Sequence, residues 1–163
     1  MTAPNALFEG NFIDEVPQLR RYARVLTGNL EQADRLVLAT LACARRKHHR
    51  WQQRTSLRTW LFTIMHRLHR KRLAHLWRKL RGFLVDAHSA APSTAEAPAA
   101  AFQCAAEPYP ILMHLARLPA EQREVLLLVV IERLAYAEAA SVLGVSVGTV
   151  LARLNRAREA MRL

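Results

Sequence analysis

Between Asp34 and Asp86 this 163-residue chain has no acidic residue at all. The same stretch, residues 35–85, holds fourteen of the 24 lysines and arginines and five of the seven histidines. A half so cationic implies a polyanionic partner, most simply nucleic acid. From Arg117 onward the balance returns, with seven arginines against five acids. Cysteine is scarce as well: Cys43 and Cys104 are too few for a disulfide scaffold and suit a reducing, cytoplasmic compartment. No run of about 18 apolar residues offers a membrane span. The first eleven residues lack the basic start and apolar core of a secretory signal. Glycine-rich phosphate loops, paired carboxylates and nucleophile motifs are all missing, so neither an enzyme nor a bound cofactor or small-molecule substrate is expected. Cys43 and His48 lie five apart, poor spacing for a shared metal, and no metal site is expected.

What is present is helical. A hydrophobic content of 52% suffices for packed cores, and no period-two alternation suggests strands. Residues 86–110 are rich in Ala, Pro and Ser and read as a flexible linker. The reading is therefore all-α: two small helical domains, residues 1–85 and 111–163, joined by that tether. In the first, Phe8, Phe12, Leu19, Tyr22, Ala23 and Leu26 recur at helical spacing until Gly28 ends the helix. Asn29, with Gln32 three residues on, starts the next as a capping box, and Ala33, Leu36, Val37, Leu41 and Ala44 point inward. Thr55 or Ser56 caps a long third helix. Its stripe Leu57, Trp60, Leu61, Ile64 and Leu68 gives way to a displaced one, Leu73, Leu76 and Leu80. Such a helix either bends near Leu68 or needs a second partner for its later stripe. His66 and His69, among arginines, read as phosphate-facing or solvated.

The last forty-five residues carry the sharpest signal. Tyr136 to Leu143 is a short helix with Ala139, Ala140 and Leu143 as its apolar contacts, small enough for close crossing. Gly144-Val145-Ser146 follows: a glycine suited to a left-handed stop, then a serine placed to cap the next helix. On that helix Val147, Val150, Leu154, Ala157 and Met161 share one stripe at about 100° per residue. Thr149, Ala152, Arg153 and Arg156 fall roughly opposite, with Arg158 on the flank. Arginines placed so suit guanine edges and phosphates, the arrangement of a DNA-reading helix-turn-helix. A helical hairpin with a solvated cationic face is the plainer alternative.

Three segments together go further: LRRYARVLTGNLEQADRLV from Leu19, TSLRTWLFTIMHRLHR from Thr55, and LPAEQREVLLLVVIERLAYAEAASVLGVSVGTVLARLNRARE from Leu118. They resemble the extracytoplasmic-function sigma factors of bacterial RNA polymerase, especially the alphaproteobacterial general-stress-response subgroup. The resemblance implies that the first domain binds core polymerase and opens the −10 element, while the second reads the −35 element. It places core binding on Asp34, Leu36, Val37 and Thr40. It places −10 capture on Arg50, Trp51, Gln52, Arg54 and Arg58, with Arg67, Arg70 and Lys71 holding the duplex. Arg50 to Arg54 supply what single-strand capture needs, cations beside a flat ring. Trp60, on the apolar stripe, is expected in the core. Promoter DNA, core polymerase and an anti-sigma factor are the implied partners, the last a candidate to cover the Leu73/Leu76/Leu80 stripe.

Three departures from the family pattern stand out. The usual acidic Asp-Asp/Glu-Leu-Val-Gln-Glu run reads Asp34-Arg35-Leu36-Val37-Leu38-Ala39. Arg67 occupies a position where many relatives have Asn, and Lys71 a later one where they have Asp or Asn. The common Lys-Ser of the reading helix has become Leu151-Ala152. Each loss is worth only about 1–3 kcal/mol, yet together they touch every surface that initiation uses. Two accounts follow: a sigma factor with altered preferences, or a degenerate sigma-like protein that regulates by occupying an anti-sigma factor or another partner.

Overall fold

The computed structural model describes residues 4–51, 55–85, 115 and 117–161. For residues 4–11, 50, 77 and 79–85 only the backbone is described. The expected linker, 86–110, and with it Gln52, Arg54 and Cys104, lies outside the described residues.

Six α-helices and no strand occur among the described residues: α1 (Pro4–Thr27), α2 (Leu30–Lys47), α3 (Leu57–Val85), α4 (Ala120–Leu126), α5 (Tyr136–Leu143) and α6 (Val147–Met161). Their boundaries follow local chemistry. Gly28, at φ +66°, takes the left-handed conformation that ends α1. Asn29 Oδ1 then accepts the Gln32 N–H at 3.0 Å and starts α2. Ser56, rather than Thr55, caps α3, accepting the Thr59 N–H at 3.2 Å.

The first three helices enclose Leu19, Tyr22, Ala23 and Val25 of α1, Ala33, Leu36, Val37 and Ala44 of α2, and Leu61, Phe62, Ile64 and Met65 of α3. Tyr22 meets Phe62 edge-on at 5.1 Å, the favoured geometry for two ring quadrupoles. Trp60 is only half-buried and sits beside the first module's core instead of within it. The second module closes over Leu115, Leu118, the run Val125 to Leu128, Leu134 and the inner faces of α5 and α6. After α4 the chain widens into a π-helical turn, Leu127–Ile131, closed by the Glu132 N–H on the Leu127 carbonyl at 2.9 Å.

The two modules are docked on one another. Glu132, with a side chain only 1% exposed, receives Arg21 of α1 at 2.7 Å. Glu138 of α5 accepts the buried Thr59 hydroxyl of α3 at 2.8 Å. On α3, Thr59, Phe62, His66 and His69 fall within about 80° of arc at 100° per residue, and all four are buried. This stripe corrects the reading of His66 and His69 as phosphate-facing or solvated. His66 Nδ1 and the Tyr22 hydroxyl share a hydrogen bond of 3.4 Å. Burial, with Arg70 and His69 nearby, lowers the His66 pKa to about 4; burial and Arg72 do the same for His69.

Beyond His69, α3 continues without a break to Val85. Leu73 and Leu76 are exposed there, and nothing among the described residues covers them. The side chain of Leu80 lies outside the described residues.

Candidate nucleic-acid interface

A helix-turn-helix is assembled from α5, a three-residue turn and α6. The Glu138 carboxylate accepts the Ala135 N–H at 3.0 Å, which fixes the start of α5. Ala139, Ala140, Val142 and Leu143 are its buried contacts. Gly144 stands at φ +68° and donates to the Ala140 carbonyl at 2.8 Å. A side chain there would meet no clash, but its backbone would pay the cost of the left-handed region. Ser146 Oγ accepts the Thr149 N–H at 3.1 Å and so caps α6. The two helices meet at 100°, within the usual range for this motif.

On α6, Val150, Leu154 and Ala157 are buried. Val147 and Met161, expected on the same stripe, are exposed because the helix ends project past the core. Ala152, Arg156 and Arg158 are exposed; Thr149 is half-buried, with its hydroxyl 2.9 Å from Ser146 Oγ. Arg153 departs from expectation. It is not splayed opposite the core: its side chain is 20% exposed and its Nη2 lies 2.7 Å from Glu121 of α4. The physical reason is that α4 covers one flank of α6, which a two-sided helical wheel does not register. Between the start of α4 and α6 lies an open cleft of about 530 Å³, rimmed by Glu121, Gln122, Gly148, Thr149, Arg153 and Arg156. Asn155, outward and exposed, escaped the sequence reading although it lies near Ala152 on the wheel.

Ahead of α3, His48–Arg50 forms a 3-10 turn leading to Trp51. The Arg50 side chain lies outside the described residues. Trp51 donates its indole N–H to the Thr55 carbonyl at 3.1 Å, and its ring lies 6.3 Å from that of Trp60. Arg58 is bound to Glu15 of α1 at 2.7 Å and half-buried, so it fastens α3 to α1. Arg67, Arg70 and Lys71 are exposed along α3.

The surface expected for polymerase needs a correction. Leu36, Val37 and Thr40 are buried, and Thr40 returns its hydroxyl to the Leu36 carbonyl at 2.7 Å. They occupy the inner face of α2. Its outer face presents Asp34, paired with Arg20 at 3.1 Å, Arg35, paired with Glu31 at 2.6 Å, and Leu38, 67% exposed.

Comparison with known proteins agrees with this architecture. Residues 12–66 match the family model of the sigma2 domain of PhyR, and residues 110–161 that of sigma-70, region 4. The chain is 36% identical to the ECF RNA polymerase sigma factor EcfG of Rhodopseudomonas palustris (strain TIE-1) over 144 residues, 88% of this chain and 76% of the relative. In structure it is similar to the sigma factor RpoE of Bartonella quintana, solved in complex with the anti-sigma factor NepR. That likeness has a TM-score of 0.70 at 27% identity and covers 95% and 94% of the two chains. CnrH, solved in complex with the cytosolic domain of CnrY, shares the fold at a TM-score of 0.67 and 23% identity, over 99% and 88% of the chains.

A sigma region 2 bundle docked on a region 4 helix-turn-helix defines the class. This chain belongs to the ECF sigma factor family, whose members are regulatory DNA-binding proteins and not enzymes in the usual sense.

Proposed function

We propose that this protein directs core RNA polymerase to stress promoters, reading the −35 element with α6 and capturing the −10 strand around Trp51. The observation that carries this reading is the α5–turn–α6 unit, with Ala152, Asn155 and Arg156 facing outward in a member of this family. The −10 surface would comprise Arg50, Trp51, Gln52 and Arg54, backed by Arg67, Arg70 and Lys71; Arg58 serves as a tie to α1. Core polymerase would dock on the outer face of α2, at Asp34, Arg35 and Leu38, above the buried Leu36, Val37 and Thr40. The functional division is 1–85 for polymerase and −10 binding, 86–110 as tether, and 111–163 for −35 binding. An anti-sigma factor is a further expected partner, as RpoE has in NepR, and the cytoplasm the expected location.

One set of observations favours a second reading, that of a sigma-like protein acting on an anti-sigma factor. Leu38 and Leu151 place exposed apolar side chains on the polymerase-facing and DNA-reading helices, and the first module matches a domain of PhyR. Run-off transcription with purified core polymerase separates the two. A transcript from a stress-type promoter supports the sigma reading. No transcript, together with tight binding to an anti-sigma protein, supports the other.

A further inference from the structure

Arg153 and Arg156 rim the same cleft on α6, yet the structure treats them differently. Arg156 is exposed and makes no ion pair among the described residues. Arg153 is held: Glu121 grips its Nη2 at 2.7 Å, and only 20% of its side chain is exposed. Glu121 itself is 68% exposed at the mouth of the cleft. One turn further along α4 lies Glu124, whose pKa burial raises to about 7, while the Arg153 charge pulls it back down. Arg153 is therefore laid along an acidic strip of α4 instead of being left to sample solvent.

Such pairing changes what an arginine can do at DNA. A free guanidinium is drawn to the nearest phosphate and carries no sequence information there. A guanidinium already neutralised by a carboxylate has lost most of that attraction. It keeps its other N–H donors, in a fixed plane, for the acceptors of a base edge. The carboxylate also repels the backbone from its own side of the cleft.

We propose that Glu121 is a positioning residue for sequence readout, holding Arg153 off the phosphates and aimed at one base pair, while Arg156 supplies the phosphate contact. The inference rests on the reading of α6 as the −35 reader. Arg153 then gives one position of the recognised sequence, and Glu121 makes that position specific without touching DNA.

The test is selection by the full chain from duplexes randomised over eight base pairs, followed by salt titrations on the selected duplex and an unrelated one. For Glu121→Gln, one position of the selected sequence should lose its preference, by roughly tenfold. The slope of log affinity against log salt should steepen by about 0.9 as the released Arg153 takes a phosphate, and binding to the unrelated duplex should rise. Glu121→Asp should recover the preference in part, and Arg153→Ala should lose the same position without the steeper slope. Arg156→Ala should instead flatten the slope by about 0.9 and leave the selected sequence as it was. Thermal melts establish that each variant is folded. A Glu121→Gln protein with unaltered selection and slope overturns this role of Glu121 alone. A wild-type chain that selects no sequence overturns the DNA-reading assignment and this inference with it.

Discussion

Three buried or half-buried groups, His66, His69 and Glu124, set how the protein responds to acid. Both histidines titrate near 4 in the folded chain against an ordinary 6.5, so between these values the unfolded chain binds more protons. Stability is then lost as pH falls from about 6.5 towards 4. Glu124 works the other way. Its folded pKa of about 7 lies above the ordinary 4.5, so the penalty for its buried charge is present in full above 7 and relieved as pH drops. Two groups against one leave a net loss on acidification, at most about 1.4 kcal/mol per pH unit for each uncompensated proton. Urea unfolding from pH 4.5 to 8 should therefore show a maximum near 6.5–7. Glu124→Gln should raise stability above pH 7 and flatten that side of the curve; an unaltered curve would remove Glu124 from the account. Gly144 makes a separate prediction. With φ at +68° and open space around it, Gly144→Ala should cost about 1–2 kcal/mol through the backbone alone.

At the scale of the helix, the faces decide what was legible. Gly144 and Ser146 could be read directly because a left-handed stop and an N-cap are local chemistry, complete within four residues. The inner stripe of α6 was legible from periodicity for the same reason, apart from its ends. The polymerase surface was not: the family resemblance carried over a segment of α2, and a segment has two sides. Leu36, Val37 and Thr40 form the side that packs inward, leaving Asp34, Arg35 and Leu38 to any partner. Arg153 escaped because the flank it occupies is covered by α4, some thirty residues earlier. If core polymerase docks on outer α2, Leu38→Gln with Ala39→Glu, which restore the family's polar run, should strengthen core binding several-fold. Thr40→Ser, inside the core, should leave it unchanged. Both are measurable by competition against another sigma factor.

For the whole molecule, nothing local in the chain announced that the modules would dock. His66, His69 and Thr59 are polar residues on a cationic helix, yet all three are buried, with His66 against Tyr22 of α1 and Thr59 against Glu138 of the second module. The docked form holds Thr59 and Glu138 in hydrogen-bond contact. Under the promoter reading, elements named −10 and −35 lie about 25 base pairs, or about 85 Å, apart along the duplex. Both readers cannot engage while the modules touch, so promoter binding requires them to part. Arg21→Ala leaves the enclosed Glu132 without its partner and should destabilise the docked form by about 1–3 kcal/mol. Small-angle scattering should then report a larger radius of gyration, and Glu132→Gln in the same chain should win part of the compactness back. An unchanged radius would show that the remaining contacts, Thr59–Glu138 among them, suffice to hold the modules together.

Glu138 shapes how such a parting would proceed. One of its oxygens clasps Thr59 across the divide, and the other fastens the first turn of its own helix. Undoing the clasp returns one oxygen to water and leaves the other at work. The α5–turn–α6 unit thus comes away already built, and release demands no refolding of its first turn.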